Sequence, residues 1–131
     1  MEAALIAHLL AQAGITALVG NRINWLRRPQ GEALPAMALQ LVSGVPDYLL
    51  DGSYSLTESR VQMDAWAKSF LQAKQIARAV EAALSGQRFT QSGVRFAGVF
   101  IASERDDTFD ETPDTYFRTS LDLMVHHASA S

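Results

Sequence analysis

The chain has 131 residues, 48% of them hydrophobic and 19% charged, which is typical of a single globular domain large enough to bury a core. It contains no cysteine, so disulfides, cysteine-ligated zinc and thiol catalysis are excluded. The formal net charge of -3 and the lack of a basic stripe argue against a protein that binds duplex DNA.

The N-terminal part alternates between helical and extended patterns. Residues 2–13 are Ala/Leu-rich with one apolar side, which predicts a helix that stops at Gly14. An acid where a signal peptide is basic, and an apolar run too short for a bilayer, predict an intracellular product without membrane association. The pattern further predicts, in order, a turn or helical fragment over 15–19, a strand over 22–26, a polar loop over 27–31, a strand over 37–42 broken at 43–44, and a hairpin-like excursion over 45–55.

A change of hydrophobic period marks the centre of the chain. Alternation over 61–66 predicts a strand with one apolar face. Ser69, followed three residues later by Gln72, has the spacing of a capping box. Apolar residues then recur at helical spacing over 70–84, and Gly86 stands where a left-handed residue ends a helix. The sequence therefore predicts a strand–helix unit here.

Two long strands are predicted near the C-terminus, over 94–103 and 116–126, after a connection over 89–93. They are joined by an acidic segment, Glu104–Asp114, which holds six of the 14 acids and a single base. The rest of the chain has 8 acids and 10 bases, so its balance is +2. We expect the acidic segment to be a solvated hairpin tip, and the tail after His127 to fray.

These elements follow the order α-β-β-β-α-β-β. Strands on both sides of one strong helix predict an α+β domain that spans 1–131. We expect a mainly antiparallel β-sheet packed on one face by two helices. The last two strands are long enough to project from the body as a hairpin.

Sequence patterns do not indicate catalysis or a cofactor. The glycines are scattered, so no phosphate-binding loop is present, and no G-x-S-x-G elbow occurs. His126 and His127 are adjacent, so on a strand they point to opposite faces and cannot share a metal, and His8 stands alone. The acids of Glu104–Asp114 lack the spacing and the glycine of a calcium loop. We expect neither an enzyme nor a metal site.

Aromatic and arginine residues in the loops suggest contacts with other proteins instead. Arg27 and Arg28 stand close to Trp25, a combination that is common in interfaces, although a solvated strand end would have the same composition. Tyr48 and Tyr54 occur on the Gly/Asp/Ser-containing excursion. From the residues alone, the chain is an α+β domain with loops of interface-like composition.

Several segments together resemble a known family. They are LVG-x-R, RRPQG, Asp47-Tyr48 with Asp51-Gly52, the run RVQMDAWAKSFLQAKQIARAVEAAL, and Ala97–Phe100 through Ser103–Asp106 to Tyr116–Arg118 and Leu121-Asp122. In this order they resemble the tail-completion proteins of long-tailed phages, prophages and gene transfer agents. These proteins are also called tail terminators or tail-to-head joining proteins. The resemblance covers nearly the whole chain, and it rests on diffuse packing patterns and not on catalytic motifs.

The resemblance implies a structural role. It suggests a homo-hexameric ring on the head-proximal end of the tail tube, which ends tube growth and joins the tail to the head. The implied partners are other copies of the chain, the tail tube protein and a head–tail connector or stopper protein, with DNA only passing through the lumen. The implied location is the cytoplasm during assembly and then the neck and tail of the particle. The candidate contact residues, chosen by composition and position, are Trp25, Arg27, Arg28, Tyr48, Tyr54, Asp106, Asp107 and Asp110.

Two other interpretations stay open. A stopper or head–tail adaptor would share the small size and ring formation, and it would bind on the portal side. A small-molecule-binding α+β module would need an enclosed polar pocket, and no pair of titratable groups is spaced to predict one.

Overall fold

The computed structural model describes residues 1–26, 34–48, 54–111 and 114–129, with the backbone alone at 45–48, 54–55, 111 and 129. Within these ranges the elements are α1 (Glu2–Leu10), α2 (Ala13–Val19), β1 (Ile23–Trp25), β2 (Ala36–Tyr48), β3 (Tyr54–Ala67), α3 (Phe70–Leu84), β4 (Phe89–Gln91), β5 (Val94–Glu111) and β6 (Asp114–Ser129). One sheet has the order β1-β2-β3-β6-β5-β4. Its β1–β2 pair is parallel and the other pairs are antiparallel, which confirms the α+β class.

The N-terminal segment forms two helices. The predicted helix over 2–13 ends earlier, as α1, and the predicted turn or helical fragment over 15–19 is part of α2, so the described part has three helices and not the expected two. α1 ends at Leu10. Gln12 has an extended backbone and is the N-cap of α2, because its carbonyl accepts a hydrogen bond from Thr16 N–H at 3.0 Å. Gly14 lies in the first turn of α2 and does not end a helix. Among the described residues no single helix has the length and apolar composition to cross a membrane; only α1 and α2 taken together, bent by 87°, meet that test.

β2 and β3 form a long hairpin. The predicted break at residues 43–44 was wrong, because β2 continues to Tyr48 and the irregularity is a bulge between Leu41 and Ser43. A bulge absorbs one extra residue while pairing continues beyond it. The predicted excursion over 45–55 is the distal end of this hairpin, where Tyr48 pairs with Tyr54. Residues 49–53 lie outside the described part.

The central strand–helix unit is confirmed. Residues of β3 from Val61 to Ala67 alternate between buried and partly exposed positions. The Ser69 hydroxyl accepts a hydrogen bond from Gln72 N–H at 3.2 Å, and the helix that it caps runs from Phe70 to Leu84. Gly86 has a φ of +71°, in the left-handed region that favours glycine.

The C-terminal half has more strand than the sequence predicts. The connection over 89–93 contains β4, which pairs with the start of β5. The acidic segment is not a connection, since β5 continues through Glu104 to Glu111 and pairs with β6 along its length. The tail does not fray at once, because Ala128 and Ser129 pair with Arg95 and Val94.

The core lies between the three helices and one set of alternating strand residues. Leu121 and Leu123 of β6 stand opposite Met63 and Val61 of β3, and all four are fully buried. Helical residues complete the same cluster, among them Leu5, Leu9, Ile15, Ile76, Val80 and Leu84. Each side chain of this size contributes about 1.5–3 kcal/mol on burial.

Candidate interaction surfaces

The predicted contact residues of the N-terminal half lie at two places. Trp25 ends β1, and its side chain is half-buried and packs against the core. Arg27 and Arg28 follow it, outside the described residues. The backbones of Tyr48 and Tyr54 pair across β2 and β3 at the end of the hairpin, and their side chains are outside the described part.

Asp106 belongs to an ion cluster with α3, which we call the helix-side cluster: Lys74, Arg78, Glu104 and Asp106. Lys74 Nζ lies 2.5 Å from Glu104 Oε2 and 2.8 Å from Asp106 Oδ1. Arg78 Nη2 donates to both oxygens of Glu104 at 2.7 and 2.6 Å. The register explains this contact, because Glu104 and Asp106 stand opposite the buried residues Leu121 and Thr119 and so face α3.

The helix-side cluster shifts the titration of its members. Hydrogen bonds from Lys74 and then Arg78 hold the pKa of the Glu104 carboxyl below its usual range. Lys74 likewise lowers the pKa of Asp106, and the two carboxylates raise the pKa of Lys74. The side chains of Lys74 and Glu104 are 21% and 26% exposed. The cluster therefore anchors the acidic part of β5 to α3 in a partly screened setting.

Asp107 lies on the other sheet face and binds Arg118 of β6. Arg118 Nη2 donates to Asp107 Oδ2 at 2.7 Å. The same guanidinium carbon lies 5.3 Å from the ring centroid of Trp66 and 5.0 Å from that of Phe109, within cation–π range. We call these four residues the Arg118 clamp. Trp66 therefore packs against Arg118 on the sheet surface.

Further polar side chains connect β3, β5 and β6 on this same face. Asp122 accepts from Ser103 Oγ at 2.8 Å and from Arg105 Nη1 at 3.1 Å. Asp64 accepts a hydrogen bond from the hydroxyl of Ser120 at 2.6 Å, which satisfies a hydroxyl group that is fully buried. The face opposite the core is thus stabilised by hydrogen bonds between neighbouring strands.

Three of the six acids of the acidic segment are paired with bases inside the chain. Glu104, Asp106 and Asp107 bind bases that stand on α3 and β6, as described above. Asp110 is different, because its carboxylate accepts from the hydroxyl of Thr115 at 3.0 Å. Of the three predicted acidic contact residues, Asp110 is the one whose described partner carries no charge.

Several large apolar side chains of the described part are exposed on strands. Leu41 and Val42 of β2 are 44% and 53% exposed, and Phe100 of β5 is 51% exposed. β1 covers only Met37–Leu39 of β2, and β4 covers only Val94–Phe96 of β5. Sequence patterns did not indicate this surface, since they missed β4 and the full length of β5.

The described histidines sit in aromatic contacts. His126 lies edge-on to Phe100 at 5.8 Å, whereas the His127 ring is 6.4 Å from buried Phe96, which confirms that the two point to opposite faces. His127 Nε2 is 2.8 Å from Ser59 Oγ. His8 stacks on Phe89 at 3.6 Å, and burial lowers the pKa of His8.

The surface of the described part includes two open hollows. The larger, of about 450 Å³, is lined by Arg88, Phe89, Thr90, Arg95, Phe96 and Ala97. The smaller, of about 270 Å³, is lined by Gln12, Gly14, Ile15, Ala79, Ala82 and Ala83. Neither lining contains a carboxylate or an imidazole, the groups that most often act in acid–base chemistry. Among the described residues, no cluster of three potential metal ligands occurs.

Comparison with known proteins points to one family. Residues 3–127 match the family described as tail completion protein gp17. A solved chain from "Virion of native gene transfer agent (GTA) particle" has a TM-score of 0.72 at 22% identity, covering 97% of this chain and 93% of that one. A second solved structure, named only by a sequence identifier, has a TM-score of 0.56 at 13% identity, with coverages of 95% and 92%. At such identities the likeness concerns the fold. No curated protein matches the sequence.

Proposed function

Since this chain belongs to the tail completion protein gp17 family, we propose that it forms a hexameric ring on the head-proximal end of a phage-type tail tube. It is a structural tail protein and not an enzyme. In the proposed role the ring ends tube growth and provides the surface to which the head binds. The observation that carries this proposal is the family match, which spans residues 3–127 of 131.

The proposed partners follow from that position. The ring contacts further copies of the chain sideways, the tail tube protein on one side and a head–tail connector or stopper protein on the other. DNA passes through the lumen without being held there. The chain acts as one domain over 1–131, assembles in the cytoplasm and ends in the neck of the particle.

The candidate contact residues fit this role to different degrees. We propose the paired ends of β2 and β3, where Tyr48 pairs with Tyr54, as an axial contact. We propose the far end of the β5–β6 hairpin, with Asp110, as a second contact. Trp25 packs against the core, and we propose that it also contributes to a contact together with Arg27 and Arg28.

Deletion of the gene in a particle-producing strain, followed by electron microscopy of the lysate, tests the proposal. The expected result is full heads lying apart from tails of irregular length. Tails of normal length beside detached heads would instead assign the chain to the head side of the neck, as a stopper or adaptor. Intact particles of normal appearance would overturn the morphogenetic role.

A further inference from the structure

The two long outer strands of the sheet are only partly covered. β1 pairs with β2 no further than Leu39, and β4 pairs with β5 no further than Phe96. Beyond these points β2 continues to Tyr48 and β5 to Glu111. Within the described ranges no other strand pairs with either outer edge. Each of the two edges therefore presents backbone groups that can pair with another strand.

The backbone alternation shows where these groups point. Met37 N–H and Leu39 C=O bond toward β1, to Arg22 and Leu26, so the backbone groups of Leu41 face the same outer edge. On the other side of the sheet, Val99 C=O points to the outer edge of β5, where it accepts a hydrogen bond from Gly86 N–H at 2.7 Å. The backbone groups of Ile101, two residues further on, therefore face the same outer edge. Leu41 and Ile101 each stand directly before a bulge.

The side chains of these edges lack the charges that often prevent pairing, and the protective features that remain are one bulge on each exposed stretch and Pro46 on β2. Natural edge strands carry charges, most often lysine, that prevent pairing with other chains. Residues 40–46 of β2 (QLVSGVP) and 96–103 of β5 (FAGVFIAS) carry no charge. Leu41, Val42 and Phe100 add exposed apolar surface. The charged residues begin again at Asp47 and Glu104. The uncharged stretch beyond β1 therefore runs from Gln40 to Pro46 on β2, and the one beyond the Gly86–Val99 hydrogen bond runs from Phe100 to Ser103 on β5.

The directions of the strands fit a repeating contact. Three successive antiparallel pairings, β2–β3, β3–β6 and β6–β5, make β2 and β5 run in opposite directions at opposite sides of the sheet. Copies repeated side by side keep one orientation, so β5 of one copy meets β2 of the next as an antiparallel pair. A head-to-tail contact between two different patches closes into a ring when each step adds a rotation.

We propose that the uncharged edges of β2 and β5 pair with each other in neighbouring copies of this chain, which builds one sheet across the subunit contact of the ring. The occupant of each edge is a second copy, because the two edges match in direction and in lack of charge. This inference rests on the ring of the proposed function and specifies how its subunits join.

The lack of cysteine makes a direct test possible, since introduced thiols are the only ones in the chain. We would incorporate a Val42→Cys, Ala102→Cys double variant into particles and treat them with a flexible bifunctional maleimide, which bridges more than one register. The expected result is a ladder of covalent multimers. Each single variant should stay monomeric, and a mixture of the two should stop at the dimer. Dimers from a single variant would indicate a two-fold contact and overturn the proposal.

Two matched controls separate the possible failures. A double variant of Val42→Cys with Leu71→Cys, on the exposed first turn of α3, should give no ladder. Val42→Lys should remove the chain from particles, whereas Leu71→Lys, at a residue that is 67% exposed, should not. Particles that contain the double edge variant without cross-links would overturn the edge pairing and leave the ring proposal standing. Absence of the natural chain from purified particles would overturn both.

Discussion

The helix-side cluster supports a prediction whose size follows from the structure. Glu104 accepts charge-assisted hydrogen bonds from Lys74 and Arg78, and its side chain is 26% exposed. An exposed ion pair contributes about 0.2–1 kcal/mol, so two partly screened pairs should contribute about 1–2 kcal/mol. With an unfolding entropy of about 2.1 cal/mol/K per residue, Glu104→Gln should lower Tm by about 4–7 °C.

The direction of the pKa shift of Glu104 determines how the loss of Tm depends on pH. The pKa of Glu104 is lower in the folded chain than its ordinary value. Its contribution is therefore fully present above the unfolded pKa and is lost as pH falls through the folded pKa. The Tm difference between the natural chain and Glu104→Gln should be constant from about pH 7 to 5.5 and should close below about pH 4.

Thermal unfolding followed by circular dichroism across this pH range provides the measurement. Glu58→Gln is the matched control, because Glu58 is an exposed acid on β3, and it should change stability by less than about 0.5 kcal/mol. A loss at Glu104 no larger than that at Glu58, or one that is as large at pH 3 as at pH 7, would refute the assignment of stability to the cluster.

Three further predictions concern single elements. Ser69→Ala should cost about 1 kcal/mol in urea unfolding, because Gln72 N–H loses its acceptor, whereas Ser69→Thr should cost less. Leu121→Ala should cost about 2–5 kcal/mol in the same assay, since its fully buried side chain leaves a cavity. In thermal unfolding, Asp110→Lys should change Tm by less than about 2 °C relative to the natural chain. Asp107→Lys should lower Tm by more than that, because the new lysine would lie beside the Arg118 guanidinium and the two cations would repel each other.

Local signals predicted the parts of the fold that depend on nearby residues. The alternation of β3, the cap at Ser69, the helical period of α3 and the glycine at position 86 all act within a few residues, and each was confirmed. The predicted break at 43–44 failed for a related reason. Ser43 and Gly44 favour turns locally, but pairing with Arg60 and Ser59 holds them in the strand.

The candidate surfaces depend on contacts between distant residues, which no local pattern encodes. A run of acids such as Glu104–Glu111 predicts a solvated connection when taken alone. Here Lys74 and Arg78, 26 to 30 positions earlier, neutralise Glu104, and Arg118 neutralises Asp107 from the opposite strand. The partners became visible only through the register of β5 with β6 and the position of α3. The sequence did not predict the exposed edges of β2 and β5 for the same reason, since they depend on which strands pair.

In the proposed ring, this internal neutralisation changes which acid would act on DNA in the lumen or on a neighbouring subunit. A carboxylate that is paired with a cation within 3 Å leaves a dipole, whose field decays faster than that of a single charge, and salt screens both over about 8 Å. Asp106 and Asp107 are paired in this way, and Asp110 has a neutral hydroxyl partner. Reversing all three charges together would therefore disturb the fold and the surface at once. Reversal at Asp110 alone changes the surface charge while the helix-side cluster and the Arg118 clamp stay intact, so a defect in assembly or DNA delivery would then belong to the exposed charge itself.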